Sequence, residues 1–128
     1  DMRRLFMQKF SHSPNIPITQ MAAAPIDDDL LKRMVTLIED NLNNSELSVN
    51  FLASQLHISR SSLFAKIKSL TDVTPNEMIQ VVRLRKAAQL LREGNYRVSE
   101  ICFMVGFNSP SYFSKCFAKQ FGVKPGEY

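Results

Sequence analysis

The chain has 128 residues, 45% hydrophobic and 22% charged, with only four glycines, a composition that suits one compact helix-rich domain with or without a tail. Its net charge of +4 is unevenly spread, with a net −4 over residues 27–56 and a net +6 over residues 57–128, the polarity of a domain that turns one side to a polyanion. No apolar run approaches the roughly 20 residues of a membrane helix, and Arg3-Arg4 lead into no apolar signal-peptide stretch.

A chain that opens on Asp1 rather than Met is expected to be cut from a longer protein whose other parts hold the input function. Residues 1–26 read as a linker or tail from a preceding domain: Ser11-His12-Ser13-Pro14 and Asn15-Ile16-Pro17 are turn chemistry, and Leu5, Phe6 and Phe10 are free to pack on a neighbour. The domain proper is expected over residues 27–128. Asp27-Asp28-Asp29 suit a helix N-terminus through capping and the macrodipole. Leu30, Leu31, Met34, Leu37, Ile38 and Leu42 then recur at helical spacing up to an Asn43-Asn44 stop.

A second helix is expected from about Ser48 to Leu56, and a third behind Ser59 with Leu63, Ile67 and Leu70 inward. Thr74-Pro75-Asn76-Glu77 is the clearest helix start in the chain, since Thr caps, Pro suits the first position and Glu completes a capping box. That fourth helix should run to about Arg92 and stop at Gly94-Asn95. On it Met78, Ile79, Val82, Leu84, Ala87, Leu90 and Leu91 read as core, and Arg83, Arg85, Lys86 and Arg92 as a solvated or phosphate-facing stripe. A fifth helix follows over about Val98–Val105, and a sixth starts at Ser109-Pro110 and ends at Phe121-Gly122. No segment alternates at period two long enough for a strand.

Laid on itself, the chain shows a duplication. VNFLASQLHI at 49–58 matches VSEICFMVGF at 98–107, pairing Leu52 with Ile101, Ala53 with Cys102, Leu56 with Val105 and Ile58 with Phe107. After one inserted residue the match resumes, Ser61 with Ser111, Leu63 with Phe113 and Ile67 with Phe117, and runs through Val73–Glu77 against Val123–Glu127. Each copy has the layout of a helix-turn-helix: a small residue (Ala53 or Cys102) for close approach, a turn residue (His57 or Gly106) where positive φ is needed, and an apolar anchor (Leu63 or Phe113). The units are expected over about 48–72 and 97–122, bridged by the helix at about 74–93. The fold class is therefore all-α, two helix-turn-helix subdomains joined by a long central helix.

With Leu63 and Ile67 inward, advancing 100° per residue turns Ser61, Ala65 and Lys68 outward, flanked by Arg60 and Phe64. The matching positions are Ser111, Lys115 and Ala118, flanked by Ser114 and Lys119. Both faces lack acids; small residues let a helix sink into a major groove, Ser bonds base edges or phosphates, and Lys supplies charge to phosphate. Phe64 either touches a thymine methyl or folds back over Arg60 at the rim. Cys102 and Cys116 match no metal or redox spacing and read as buried thiols in a reducing cytoplasm, and Tyr96, Tyr112 and Tyr128 as packed rings with hydroxyls at the surface.

LASQLHISRSSLFAKIKSLTDVTPNEMI and RLRKAAQLLREGNYRVSEICFMVGFNSPSYFSKCFAKQFGVKPGEY, at their spacing, resemble the AraC/XylS family DNA-binding domain over about residues 28–128. The resemblance implies about seven helices, a rigid bridging helix, and insertion into two successive major grooves on one face of double-stranded DNA. Carried over by position, it puts base reading on Ser61, Phe64 and Ala65 and on Ser111, Ser114 and Lys115, with Arg60, Lys68, Ser109 and Lys119 beside them. The first unit departs from members with long polar residues there, which shifts weight to the second unit or to DNA shape. The first unit and the linker MRRLFMQKFSHSPN look most like the output end of hybrid two-component regulators, which implies an activator, RNA polymerase as a partner, dimerisation through domains outside this segment, and a membrane-anchored parent.

No cofactor or metal is expected, and an enzyme is excluded by the lack of convergent polar groups, phosphate loop or metal spacing. RNA binding is disfavoured because strand platforms with stacking aromatics are missing. The remaining alternative is a helical protein-interaction module without DNA binding.

Overall fold

The computed structural model describes residues 28–128, so the linker expected over residues 1–26, with Leu5, Phe6 and Phe10, and the Asp27 end of the acidic helix start lie outside the described residues. Six α-helices follow in chain order: α1 (Asp28–Asp40), α2 (Val49–Gln55), α3 (Arg60–Thr71), α4 (Pro75–Glu93), α5 (Val98–Met104) and α6 (Pro110–Phe121), with a 3-10 turn at Pro125–Glu127. Among the described residues there is no strand.

Helix α1 buries Leu31, Met34 and Ile38 completely. It ends earlier than Asn43-Asn44 suggests, because the Asn41 side-chain amide donates to the Leu37 carbonyl (2.8 Å) and takes the chain out of the helix. Asn44 then shapes the loop, donating to Asn41 Oδ1 (3.1 Å) and accepting from the Glu46 N–H (3.0 Å).

The chain folds around α4, whose 19 residues span about 28 Å at 1.5 Å per residue. Met78, Ile79, Val81 and Val82 join a first core with α1, α2 and α3; Leu84, Ala87, Ala88 and Leu90 join a second with α5 and α6. Of the residues expected inward on this helix only Leu91 is half-buried, packed against the edge of the second core. The second core is aromatic: Phe113 stacks between Phe107 (5.2 Å) and Phe117 (5.9 Å), and Tyr128 closes edge-on against Phe117 (5.3 Å).

Four of the helix starts, those of α2, α3, α4 and α6, are set by a short polar side chain. Ser48 accepts from the Phe51 N–H, Ser59 from Ser62 and Ser109 from Tyr112. At α4 the capping box is complete: Thr74 Oγ1 accepts from the Glu77 N–H (3.2 Å) and Glu77 Oε1 from the Thr74 N–H (3.0 Å). Thr74→Ala should cost about 1 kcal/mol, read as a shift of the urea midpoint; an unchanged midpoint would mean that packing alone holds the bridging helix.

Candidate nucleic-acid interface

The two turns are built alike at the level of individual hydrogen bonds. In the first, His57 N–H donates to the Ser54 carbonyl (3.2 Å) and Ile58 N–H to Ala53 (3.1 Å). In the second, Gly106 N–H donates to Phe103 (3.1 Å) and Phe107 N–H to Cys102 (3.0 Å). Both are Schellman closures, with the residue after the helix at positive φ, 58° at His57 and 98° at Gly106. The repeat in the sequence is thus a repeat in backbone geometry. Ala53 and Cys102 are the buried residues whose carbonyls receive the returning chain.

After each turn a serine-capped helix of 12 residues begins, α3 or α6, anchored by a fully buried Leu63 or Phe113. Both end in a left-handed residue closed onto the preceding turn, Asp72 onto the Lys68 carbonyl and Gly122 onto Ala118, each at 2.8 Å. Neither helix contains an acidic residue.

On α3 the side chains of Ser61, Phe64 and Ala65 are exposed together, with Phe64 45% accessible, so that any packing at the rim leaves nearly half of the ring free. Arg60 is exposed but tied down, its Nη1 donating to Asn50 Oδ1 on α2 (2.9 Å). Lys68 is half-buried and turned toward its own helix end, with Nζ 3.9 Å from Asp72 Oδ1 and 3.4 Å from the Asp72 carbonyl. On α6 Ser111, Lys115 and Lys119 are exposed, whereas Ser114 and Ala118 are half-buried. Ser109 is the N-cap, its oxygen occupied by the Tyr112 N–H and its proton free to be donated outward.

The basic stripe expected on α4 does not exist as one face. At 100° per residue Arg85 and Arg92 lie across the helix from Arg83. Arg85 sits near Glu39, which counters the lowering of its pKa by burial; Arg92 covers the Tyr128 ring at 5.7 Å; Arg83 turns to Gly106 between the two units, and Lys86 is half-buried. Two exposed residues flank the start of α6: Asn108, which the sequence does not mark, and Tyr112, expected as a packed ring but 55% accessible. Tyr112 pairs with Ser62 in the repeat, a change from small to large on an outward turn that marks it. Its phenol is pushed above the ordinary range, first by a hydrogen bond with the Cys116 thiol. Burial raises the Cys102 thiol, whose Sγ lies 3.8 Å from the Phe107 carbonyl.

Among the described residues no helix is long and apolar enough to cross a membrane, and no three His, Cys, Asp or Glu side chains stand together as a metal site. Comparison with known proteins agrees with the geometry. The family model described as a helix-turn-helix domain matches residues 52–128. The chain is 44% identical over 120 residues to Histidine kinase P4 of Formosa agariphila, across 94% of this chain and 9% of that protein. It is 31% identical over 99 residues to the HTH-type transcriptional regulator MtrA of Neisseria gonorrhoeae, covering 76% of this chain and 33% of the regulator. The chain therefore spans a tenth to a third of these relatives. Among solved structures, a Chromobacterium violaceum transcriptional regulator described as AraC-type DNA-binding matches with a TM-score of 0.73 and 28% identity, over 79% of this chain and 89% of the other.

Proposed function

This chain belongs to the AraC-type helix-turn-helix family, and from that premise we propose that it binds duplex DNA in a sequence-dependent way as the output segment of a transcription regulator. The observation that carries the reading is the doubled turn: two identical backbone closures present two capped, acid-free helices from one bridging helix. Each helix enters a major groove, the two grooves being successive on one face of the duplex. Ser61, Phe64 and Ala65 on α3 and Ser111, Ser114 and Lys115 on α6 meet base edges; Lys119, Ser109, Arg60 and Lys68 serve the backbone, the last two after giving up their present partners. The DNA-binding domain is residues 27–128, with 1–26 as the linker from a preceding domain.

The likeness to a histidine kinase supports a finer reading, in which the parent is a hybrid two-component regulator anchored in the membrane and this segment acts in the cytoplasm as an activator. Contact with RNA polymerase and dimerisation through domains outside the segment belong to the same proposal.

The segment should bind a duplex selected from a random pool without added metal, nucleotide or small ligand. Affinity should fall steeply with salt, since each neutralised phosphate contributes a slope of about −0.9 in log affinity against log salt. Fluorescence anisotropy from low to physiological salt measures it. A flat response would favour a helical protein-interaction module instead.

A further inference from the structure

The bridging helix places one cation where the two cores meet. Arg83 stands between Val82, which belongs to the first core, and Leu84, which belongs to the second. It is half-buried, and its Nε is shielded from solvent with no hydrogen-bond acceptor. Among the described residues no carboxylate answers it: burial lowers its pKa with nothing opposing, whereas Arg85, two residues on, has Glu39. A guanidinium stays charged at any physiological pH, and a partly buried charge without a partner is costly. A shielded donor of this kind calls for an acceptor, which a bound anion supplies.

Arg83 lines a cleft of about 480 Å³ between the two helix-turn-helix units. The other walls are neutral: Ser48 from the first unit, Asn76 and Gln80 from α4, and Ser109 and Tyr112 from the second unit, with no acid anywhere in the lining. Ser109 is also the N-cap of α6, so the positive end of that 12-residue helix lies at the cleft. One cation among neutral donors matches one negative charge. A phosphodiester carries a single charge, whereas free phosphate at neutral pH carries up to two.

We infer that this cleft takes a phosphodiester of the DNA backbone, at a position between the segments read by α3 and α6, with Arg83 as its cationic contact. The inference rests on the DNA-binding reading above. Backbone that reaches the N-terminus of α6 must pass Ser109 and hence the cleft mouth. The contact fixes the register of both units on the duplex without reading a base.

The test uses the segment and its selected duplex, with each phosphate replaced singly by an uncharged methylphosphonate. Wild type should lose about tenfold in affinity at one or two adjacent phosphates between the recognised segments, with smaller losses for Arg83→Lys. Arg83→Gln should be insensitive there, and its salt slope should shrink by about one unit. Equal sensitivity of wild type and Arg83→Gln at every phosphate overturns the inference. So does a wild-type scan with no sensitive phosphate between the segments, which decides the matter even if Arg83→Gln does not fold. Millimolar inorganic phosphate that raises the melting temperature of wild type but not of Arg83→Gln would make free phosphate the ligand and also overturn it. Absence of salt-dependent binding to the unmodified duplex refutes the DNA reading itself; intact binding with a flat scan refutes only the cleft assignment.

Discussion

Gly106→Ala is expected to destabilise the folded chain by roughly 2–5 kcal/mol, combining backbone strain of about 1–2 with overpacking of about 1–3. At φ 98° an L side chain is strained whatever its surroundings. Here the space is also taken: a Cβ would run into the Leu42 carbonyl of the loop after α1 and lie 2.9 Å from Arg83 Nε. A carbonyl held by its own loop cannot swing aside as a side chain can. The turn of the second unit is thus seated against the first subdomain, and the substitution should loosen the junction as well as the turn. Gly122→Ala is the control, because φ is 82° there and nothing lies within 4 Å, so only the backbone cost applies. Urea unfolding of the two variants measures the difference. If Gly106→Ala fell within a few tenths of a kcal/mol of Gly122→Ala, the close approach to Leu42 would carry no weight.

His57 occupies the equivalent place in the first unit and shows why the turn is legible in the sequence. The duplication aligned a residue that tolerates the left-handed region with one that prefers it, and both take positive φ. Helix starts are equally legible, since Ser59, Thr74 and Ser109 each act on the neighbour three residues on. The fate of the cations was harder to read. Rotating α4 by 100° per residue sets Arg83 across from Arg85 and Arg92, but it treats the helix as isolated and does not say what each side chain meets. Glu39, Tyr128 and the seam between two cores, all distant in sequence or set by tertiary packing, send them to different places. Arg60 is drawn to Asn50 for the same reason, ten residues away on another helix. Lys68 is a different case, because Asp72 lies at i+4 and the pairing is local in the sequence.

Lys115 and Lys119 test whether α6 reads bases or only holds the backbone. Both are exposed, and neither has a hydrogen-bonded or ionic partner among the described residues. Lys115 stands on the outward face with Ser111, one turn before it, while the next residue, Cys116, is buried in the second core. Lys119 lies one turn further on, in the last turn before Gly122, where the helix end leaves the groove and phosphate is the nearer partner. Lys115→Ala should therefore cost about 1–3 kcal/mol on the selected site, little on random DNA, and relax preference at one or two base pairs. Lys119→Ala should weaken all sequences alike and reduce the salt slope by about one unit. Anisotropy on the selected site, single-base variants of it and a random duplex separates the two patterns. Equal, sequence-independent losses for both variants would assign Lys115 to the backbone. Specificity would then fall to Ser111, Ser114, the α3 face or the deformability of the DNA between the two grooves.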